Sequence, residues 1–241
     1  MELVFRDDAY ATECQATVVS AGPEGIVLDR TVFYPTGGGQ PGDSGALVAE
    51  DGSEVTVTEA RKGAGPDDVL HKVPEDAALP AVGATVTAKI DWERRHKHMR
   101  MHTTMHLLCS MIHHGVTGGQ VGAEKSRLDF DSGDHTYDKE ELTNQLNILV
   151  EADHPVGDRW IEEAELDAKP EMVRTLSVQP PRGVGRIRLM AVGDGADGGE
   201  VDLQPCGGTH VARTGEIGKV RISKIENKGK RNRRIHIVFD E

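Results

Sequence analysis

Two short stretches carry the residues best able to do chemistry: His102-Thr103-Thr104-Met105-His106 and Cys206-Gly207-Gly208-Thr209-His210. Each places two nitrogen or sulfur donors four residues apart. Positions i and i+4 share a helix face, so His102 and His106 can address one ion. The glycines after Cys206 let the backbone turn tightly around a metal. Three imidazoles and a thiolate suit tetrahedral Zn²⁺. The neighbours exclude two familiar zinc chemistries. A zinc protease needs Glu directly after the first histidine as general base, and position 103 is threonine. A nucleobase deaminase needs a second cysteine at CxxC spacing, which Cys206 lacks. Each half alone reads as ordinary surface or packing residues; the signal is the two halves together with their neighbours.

The elements that must position these residues follow from pattern. Asp91 reads as an N-cap, and residues 92–114 as one long helix stopped by Gly115. Trp92, Met99, His102, His106 and Cys109 fall near one stripe, with Met99 and Cys109 as core. Arg94, Arg95, His96, Lys97 and His98 lie towards the opposite side or the helix start and read as a solvated face, with RNA contact as the other use. Residues 121–131 read as a strand. Asp138 caps a second helix over 139–152, with Leu142, Leu146, Leu149 and Val150 on its apolar side, and Pro155 closes it off. Residues 159–165 are strand-like, 170–173 a short helix, 187–192 a strand and 193–199 an acidic loop. Residues 201–204 then deliver Cys206. Strands over 218–225 and 234–239 form a hairpin across a basic turn. Two long helices on an antiparallel sheet make an α+β two-layer domain over 91–241. Upstream, residues 12–19, 25–29, 54–58 and 84–90 are strand-like by β-branching and alternation. Short strands with Gly/Pro turns point to a small closed β-barrel over 1–90, with the boundary near Ile90.

Composition narrows the class. No run in the 241 residues approaches the roughly 20 apolar residues of a membrane helix. The first residues, Met1-Glu2-Leu3-Val4-Phe5-Arg6-Asp7-Asp8, lack a basic-then-apolar signal segment, so a cytoplasmic chain is expected. Its three cysteines are then expected as thiols or metal ligands. A net charge of −12, from 40 acidic and 28 basic residues, has the wrong sign for a nucleic-acid binder. Acid is spread along the chain, as a salt-rich cytoplasm would favour; a halophilic source is a compositional guess. Base gathers near the end, at Lys219, Arg221, Lys224, Lys228, Lys230, Arg231, Arg233 and Arg234.

Neighbouring motifs carry a resemblance. Met101 to Leu108, Val116-Thr117-Gly118-Gly119-Gln120, Arg127-Leu128-Asp129-Phe130-Asp131, and Cys206 to Val211 with Thr214-Gly215-Glu216-Ile217-Gly218 resemble the editing domain of alanyl-tRNA synthetase. They resemble still more its free-standing relatives, the AlaX proteins. Tyr34-Pro35-Thr36-Gly37-Gly38-Gly39-Gln40-Pro41-Gly42-Asp43-Ser44-Gly45 is similar to the glycine motif of the synthetase and of the medium-length AlaX proteins. Together the matches cover nearly the whole chain, in the family's order.

The resemblance implies a trans-acting zinc-dependent aminoacyl-tRNA deacylase, a carboxylic ester hydrolase. It would clear mischarged tRNA-Ala for translational fidelity, with serine as the favoured error and glycine a second. No membrane and no obligatory protein partner enters this reading. His102, His106, Cys206 and His210 would hold Zn²⁺. Four protein ligands normally close a site, so either one, His210 first, is loosely held or the metal orients substrate. Thr103 and Thr209 flank ligands; their hydroxyls either pack locally or meet the substrate serine. Gln120 would bind the substrate amine or terminal adenosine, and the N–H groups of Gly207 and Gly208 would stabilise negative charge.

Gly37, Gly39 and Gly42 formally satisfy GxGxxG, but Pro41 and Asp43-Ser44-Gly45 open no helix and no βαβ unit surrounds them. The loop is then either a turn needing positive φ or, as the resemblance implies, a substrate-binding loop of Gly37, Gly38, Gly39, Gln40 and Gly42 lying near the metal. Lys228, Lys230, Arg231, Arg233 and Arg234 would contact RNA phosphates or sit as a solvated hairpin tip. Two other functions stay open: a hydrolase of the same fold acting on another aminoacyl-tRNA or a small ester or amide, and a non-catalytic zinc-stabilised RNA-binding module.

Overall fold

The computed structural model describes residues 1–65, 67–176, 178–195 and 199–240. The chain divides into two compact units, Met1–His96 and Lys97–Glu241. The boundary falls inside the first long helix rather than ahead of it at Ile90.

The first unit opens with β1 (Glu2–Leu3) and a single helical turn, α1 (Val4–Asp7). There follow β2 (Glu13–Gly22), β3 (Gly25–Leu28), β4 (Arg30–Thr31), β5 (Gly45–Ala49), β6 (Glu54–Val57), β7 (Glu59–Lys62), β8 (Val69–Lys72) and β9 (Thr85–Ile90). β1 and β4 pair as a parallel ribbon. The other seven strands form one antiparallel sheet in the order β6-β5-β9-β2-β3-β8-β7. Among the described residues no ladder joins β6 to β7, so the sheet has two edges and the expected closed barrel is not formed by the pairing. Alternation puts Ala16 and Val18 of β2 and Val86, Ala88 and Ile90 of β9 into one core with Ile26, Phe33 and Leu47. The strand β7 escaped the sequence reading for a plain reason: Glu-Ala-Arg-Lys has no β-branched residue, and only Ala60 is buried.

That core holds a neutral histidine. The His71 Nδ1–H donates to the Ile26 carbonyl (2.9 Å), and Nε2 accepts from the Thr31 hydroxyl (2.8 Å). Burial lowers its pKa from 6.5 to about 4, against the pull of the Ile26 bond. Because the folded value is depressed, the unfolded chain binds the proton first. Stability is therefore full above pH 6.5 and falls as pH drops from 6.5 towards 4. At about 1.36 kcal/mol per pH unit the loss is about 3 kcal/mol. Urea unfolding at pH 7 and pH 4.5 should show most of it, and His71→Gln should flatten the difference. A pH response unchanged by the substitution overturns this account.

The glycine loop is a tight hairpin turn. Gly37 and Gln40 exchange backbone hydrogen bonds (3.1 and 2.9 Å), and Gly38 and Gly39 have φ of +57° and +86°. Positive φ at both corners is what a type I′ turn demands. At Gly42 a Cβ would stand 1.9 Å from the Ala60 carbonyl oxygen. At the base of the loop, Asp43 is clamped to Arg95, and both side chains are fully buried. Arg95, expected on a solvated face, is instead the charged centre of this unit.

In the second unit α2 (Trp92–Met111) continues from the first, capped by Asp91, whose carboxylate accepts from the Arg94 N–H (3.1 Å). It is buried on every side from Met101 to Cys109, so no narrow apolar stripe describes it. After it come β10 (Gly115–Gln120), β11 (Lys125–Asp131), α3 (Lys139–Glu151), β12 (Val156–Glu162), α4 (Glu163–Ala168), β13 (Arg186–Val192), β14 (Asp202–Pro205), β15 (Val220–Lys228) and β16 (Asn232–Phe239). β10-β11-β16-β15 is one antiparallel sheet and β12-β13-β14 another. The Asp138 carboxylate caps α3. Asn147 of α3 then bonds both ways to the backbone of Val220 (2.7 and 3.1 Å), covering the outer edge of β15. Residues 163–165, read as the end of a strand, begin α4, and β10 was not foreseen as a strand because it contains three glycines. Of the acidic loop over 193–199, residues 196–198 lie outside the described residues. Among the described residues no helix is long and apolar enough to cross a membrane.

Candidate metal centre

α2 presents His102 and His106 one turn apart, and β14 runs directly into Cys206. The Thr103 and Thr104 hydroxyls donate back to the Met99 and Arg100 carbonyls (3.0 and 2.8 Å), which holds both side chains against the helix. One ligand atom from each of His102, His106, Cys206 and His210 lies within 4.8 Å of all the others. The Cys206 Sγ is 3.7 Å from His102 Nε2 and 3.3 Å from His210 Nε2. The three rings are buried and the thiol half-buried.

Whether such a set fits a metal is decided by the outer nitrogens. Metal-ligating histidines usually give the second ring N–H to a carboxylate, hydroxyl or carbonyl. His106 Nδ1 meets the Asp202 Oδ2 at 2.8 Å. His210 Nδ1 meets the Thr103 Oγ1 at 3.1 Å. As Thr103 already donates to Met99, its oxygen accepts from His210, leaving Nε2 as a lone pair beside the sulfur. The electrostatics agree. Burial lowers the His106 pKa, but the bonds to Asp202 and Cys206 hold it up at about 10. Burial raises the Cys206 thiol, yet His102 and His210 outweigh it and hold the group well below the ordinary range. Burial takes His210 down to about 3. A thiolate on Cys206 and a lone pair on His210 Nε2 thus face the cluster, and His106 carries a proton where a cation would stand. The residues fit a thiophilic divalent ion.

Asp202 is the member that sequence reasoning missed. Gln204 Nε2 lies 2.9 Å from both of its oxygens, so the carboxylate has a second donor besides His106. The signal was available: residues two apart on a strand share a face, and this strand leads into Cys206. Losing such an outer partner typically lowers metal affinity about 10–100-fold. Asp202→Asn should therefore release a bound divalent metal to a chromophoric chelator at about 10–100-fold lower chelator strength. Wild-type retention overturns the role.

Arg188, also not foreseen, clamps the ligand loop, donating from Nη1 to the Cys206 carbonyl (2.9 Å) and the Gly208 carbonyl (3.2 Å). The expected site residues are placed as follows. The Gly208 N–H faces the Cys206 sulfur (3.4 Å), so it supports the thiolate. Gly207 is exposed and Thr209 buried. The Thr103 hydroxyl is engaged by Met99, His210 and the Val211 N–H (3.3 Å). Gln120 sits at the exposed end of β10, paired with Arg127. Gly37, Gly38, Gly39, Gln40 and Gly42 belong to the first unit. In the basic turn, Arg231 forks onto Asp131 (2.8 and 3.1 Å) and Arg234 onto Asp129 (both 2.8 Å). Lys228 lies 3.9 Å from Glu226, Arg233 is buried, and Lys230 is exposed. Pairing of β16 with β11 thus places two of the five expected phosphate contacts, Arg231 and Arg234, in ion pairs.

Comparison with known proteins defines the class. A family model described as the threonyl and alanyl tRNA synthetase second additional domain matches residues 187–236, which span Arg188, Asp202, Cys206 and His210. One described as tRNA synthetases class II (A) matches residues 5–94. One match thus falls in each unit. The chain is 37% identical to the alanyl-tRNA editing protein AlaX-M of Methanosarcina acetivorans over 99% of this chain and 98% of that protein. It is 31% identical to AlaX-M of Saccharolobus solfataricus over 98% and 97%. It is also 35% identical to the alanine–tRNA ligase of Pyrococcus furiosus, over 92% of this chain but 24% of the ligase. The chain belongs to the AlaX-M family of alanyl-tRNA editing proteins.

Proposed function

We propose that this chain hydrolyses, in trans, the ester joining a wrong amino acid to tRNA-Ala, with serine as the favoured error and Zn²⁺ as its metal. The observation that carries the reading is the buried cluster of His102, His106, Cys206 and His210, in a chain matched end to end by AlaX-M proteins. A bound Zn²⁺ would supply a Lewis acid beside the ester. The chain's own residues do the remainder. Asp202 and Thr103 orient His106 and His210, while Gly208 and Arg188 fix the Cys206 loop. Thr209 offers the hydroxyl that distinguishes serine from alanine, a polar match worth about 10⁴–10⁵ in discrimination when a site is built for it. Gln120 holds the substrate amine or terminal adenosine, and Gly207 gives an N–H to developing charge. The glycine turn, residues 37–42, is assigned to substrate handling in the same reading.

Deacylation of Ser-, Gly- and Ala-charged tRNA-Ala, measured side by side, tests it. Rapid loss of serine with alanine retained is the expected result. Equal loss of all three would move the chain to a broader hydrolase, and no loss of any to a binding module.

A further inference from the structure

The turn after α2 and the connection from β11 to α3 bring three rings together. His135 and Tyr137 have centroids 4.6 Å apart, His114 and His135 5.7 Å, and His114 and Tyr137 6.5 Å. None of these residues is buried, and His135 is exposed. The connection is tied to the basic turn, because the Ser132 N–H donates to the Arg231 carbonyl (3.1 Å) and the His135 N–H to the Ser132 carbonyl (3.0 Å). On that turn Lys228 and Lys230 are exposed. The Arg231 side chain is 71% exposed, and its fork onto Asp131 orients it without burying it.

We propose that His114, His135 and Tyr137, with Lys228, Lys230 and Arg231, form a stacking platform for unpaired nucleotides of RNA, distinct from the four-donor cluster. Open rings offer π-faces, and the flanking cations meet phosphates; single-stranded nucleic acid uses both. Paired bases do not fit, since their faces are covered in a helix and A-form grooves are read by shape. The reach is suitable. His106 lies five residues before the end of α2 and His114 three residues after it, so their Cα atoms are no more than about 20 Å apart. At about 3.4 Å per stacked nucleotide, some six unpaired nucleotides cover that span. The choice of RNA rests on the editing reading; the ring geometry does not.

The test is binding of uncharged tRNA-Ala and of an unstructured RNA oligonucleotide, at low and raised salt. His135→Ala and Tyr137→Leu should each weaken binding about 5- to 150-fold, the size of one lost stack, with the salt slope unchanged. Lys228→Ser with Lys230→Ser should instead flatten the slope by about 0.7 per lost contact. His135→Phe, which keeps a π-face, should restore affinity. Wild-type binding by His135→Ala and Tyr137→Leu overturns the platform, as does a loss that His135→Phe fails to rescue. Hydrolysis is scored apart: a chain that deacylates normally but shows no stacking signature loses this proposal alone. A chain that stacks RNA but hydrolyses nothing loses the editing reading alone.

Discussion

His102→Ala combined with Cys206→Ala should leave the purified chain essentially free of zinc and without measurable deacylation, while both units stay folded. Two donors would remain, His106 and His210, each still held from outside by Asp202 and Thr103. Loss of an outer partner alone costs about 10–100-fold in affinity, and loss of two direct donors costs more. The single variant Cys206→Ala keeps three imidazoles, which can still hold zinc, so it should lower occupancy without abolishing it. The fold should survive because the two substitutions remove a thiolate together with one of the rings that stabilise it. Elemental analysis and the serine deacylation rate decide the matter. Full zinc retention in the double variant removes the site as assigned.

What the sequence made legible here was spacing. His102 with His106, and Cys206 with His210, are set by chain geometry, and one cluster results. What it hid were groups that act across the fold. Alternation puts Asp202 on the strand face of Cys206, but nothing local points it to His106, 96 residues away. Thr103 was expected either to pack locally or to meet the substrate, and the His210 bond that joins its i−4 bond appears only once the loop is folded onto α2. Arg231 and Arg234 looked like free cations because the register placing Asp131 and Asp129 beside them is a tertiary fact. The first unit shows the same limit at the level of architecture. Its strands were visible as alternating patterns over 12–19 and 84–90. Nothing in those patterns tells whether a seven-stranded sheet closes.

Arg95 is where local pattern and fold disagree most, and its removal should cost about 3–5 kcal/mol. The guanidinium is fully buried. Its Nε lies 2.9 Å from both Asp43 oxygens, and its Nη atoms donate to the Ala9 (3.0 Å) and Val32 (2.7 Å) carbonyls. Asp43 also accepts from the Tyr34 N–H (2.6 Å). Arg95→Met strands the carboxylate with that single donor. Asp43→Leu strands a cation with two carbonyls. In a unit of about this length each kcal/mol moves the melting temperature by roughly 4–8 °C, so either variant should drop it by at least about 12 °C. Raised salt should change the loss little, because a buried pair is poorly screened. Arg95→Met with Asp43→Leu should recover part of the loss, since no charge is left unpaired. The recovery should stay incomplete, because the Ala9 and Val32 carbonyls and the Tyr34 N–H lose their partners. Urea unfolding of the three variants measures this. Single-variant losses under about 1 kcal/mol would match an exposed pair and would return Arg95 to the solvated face of the helix.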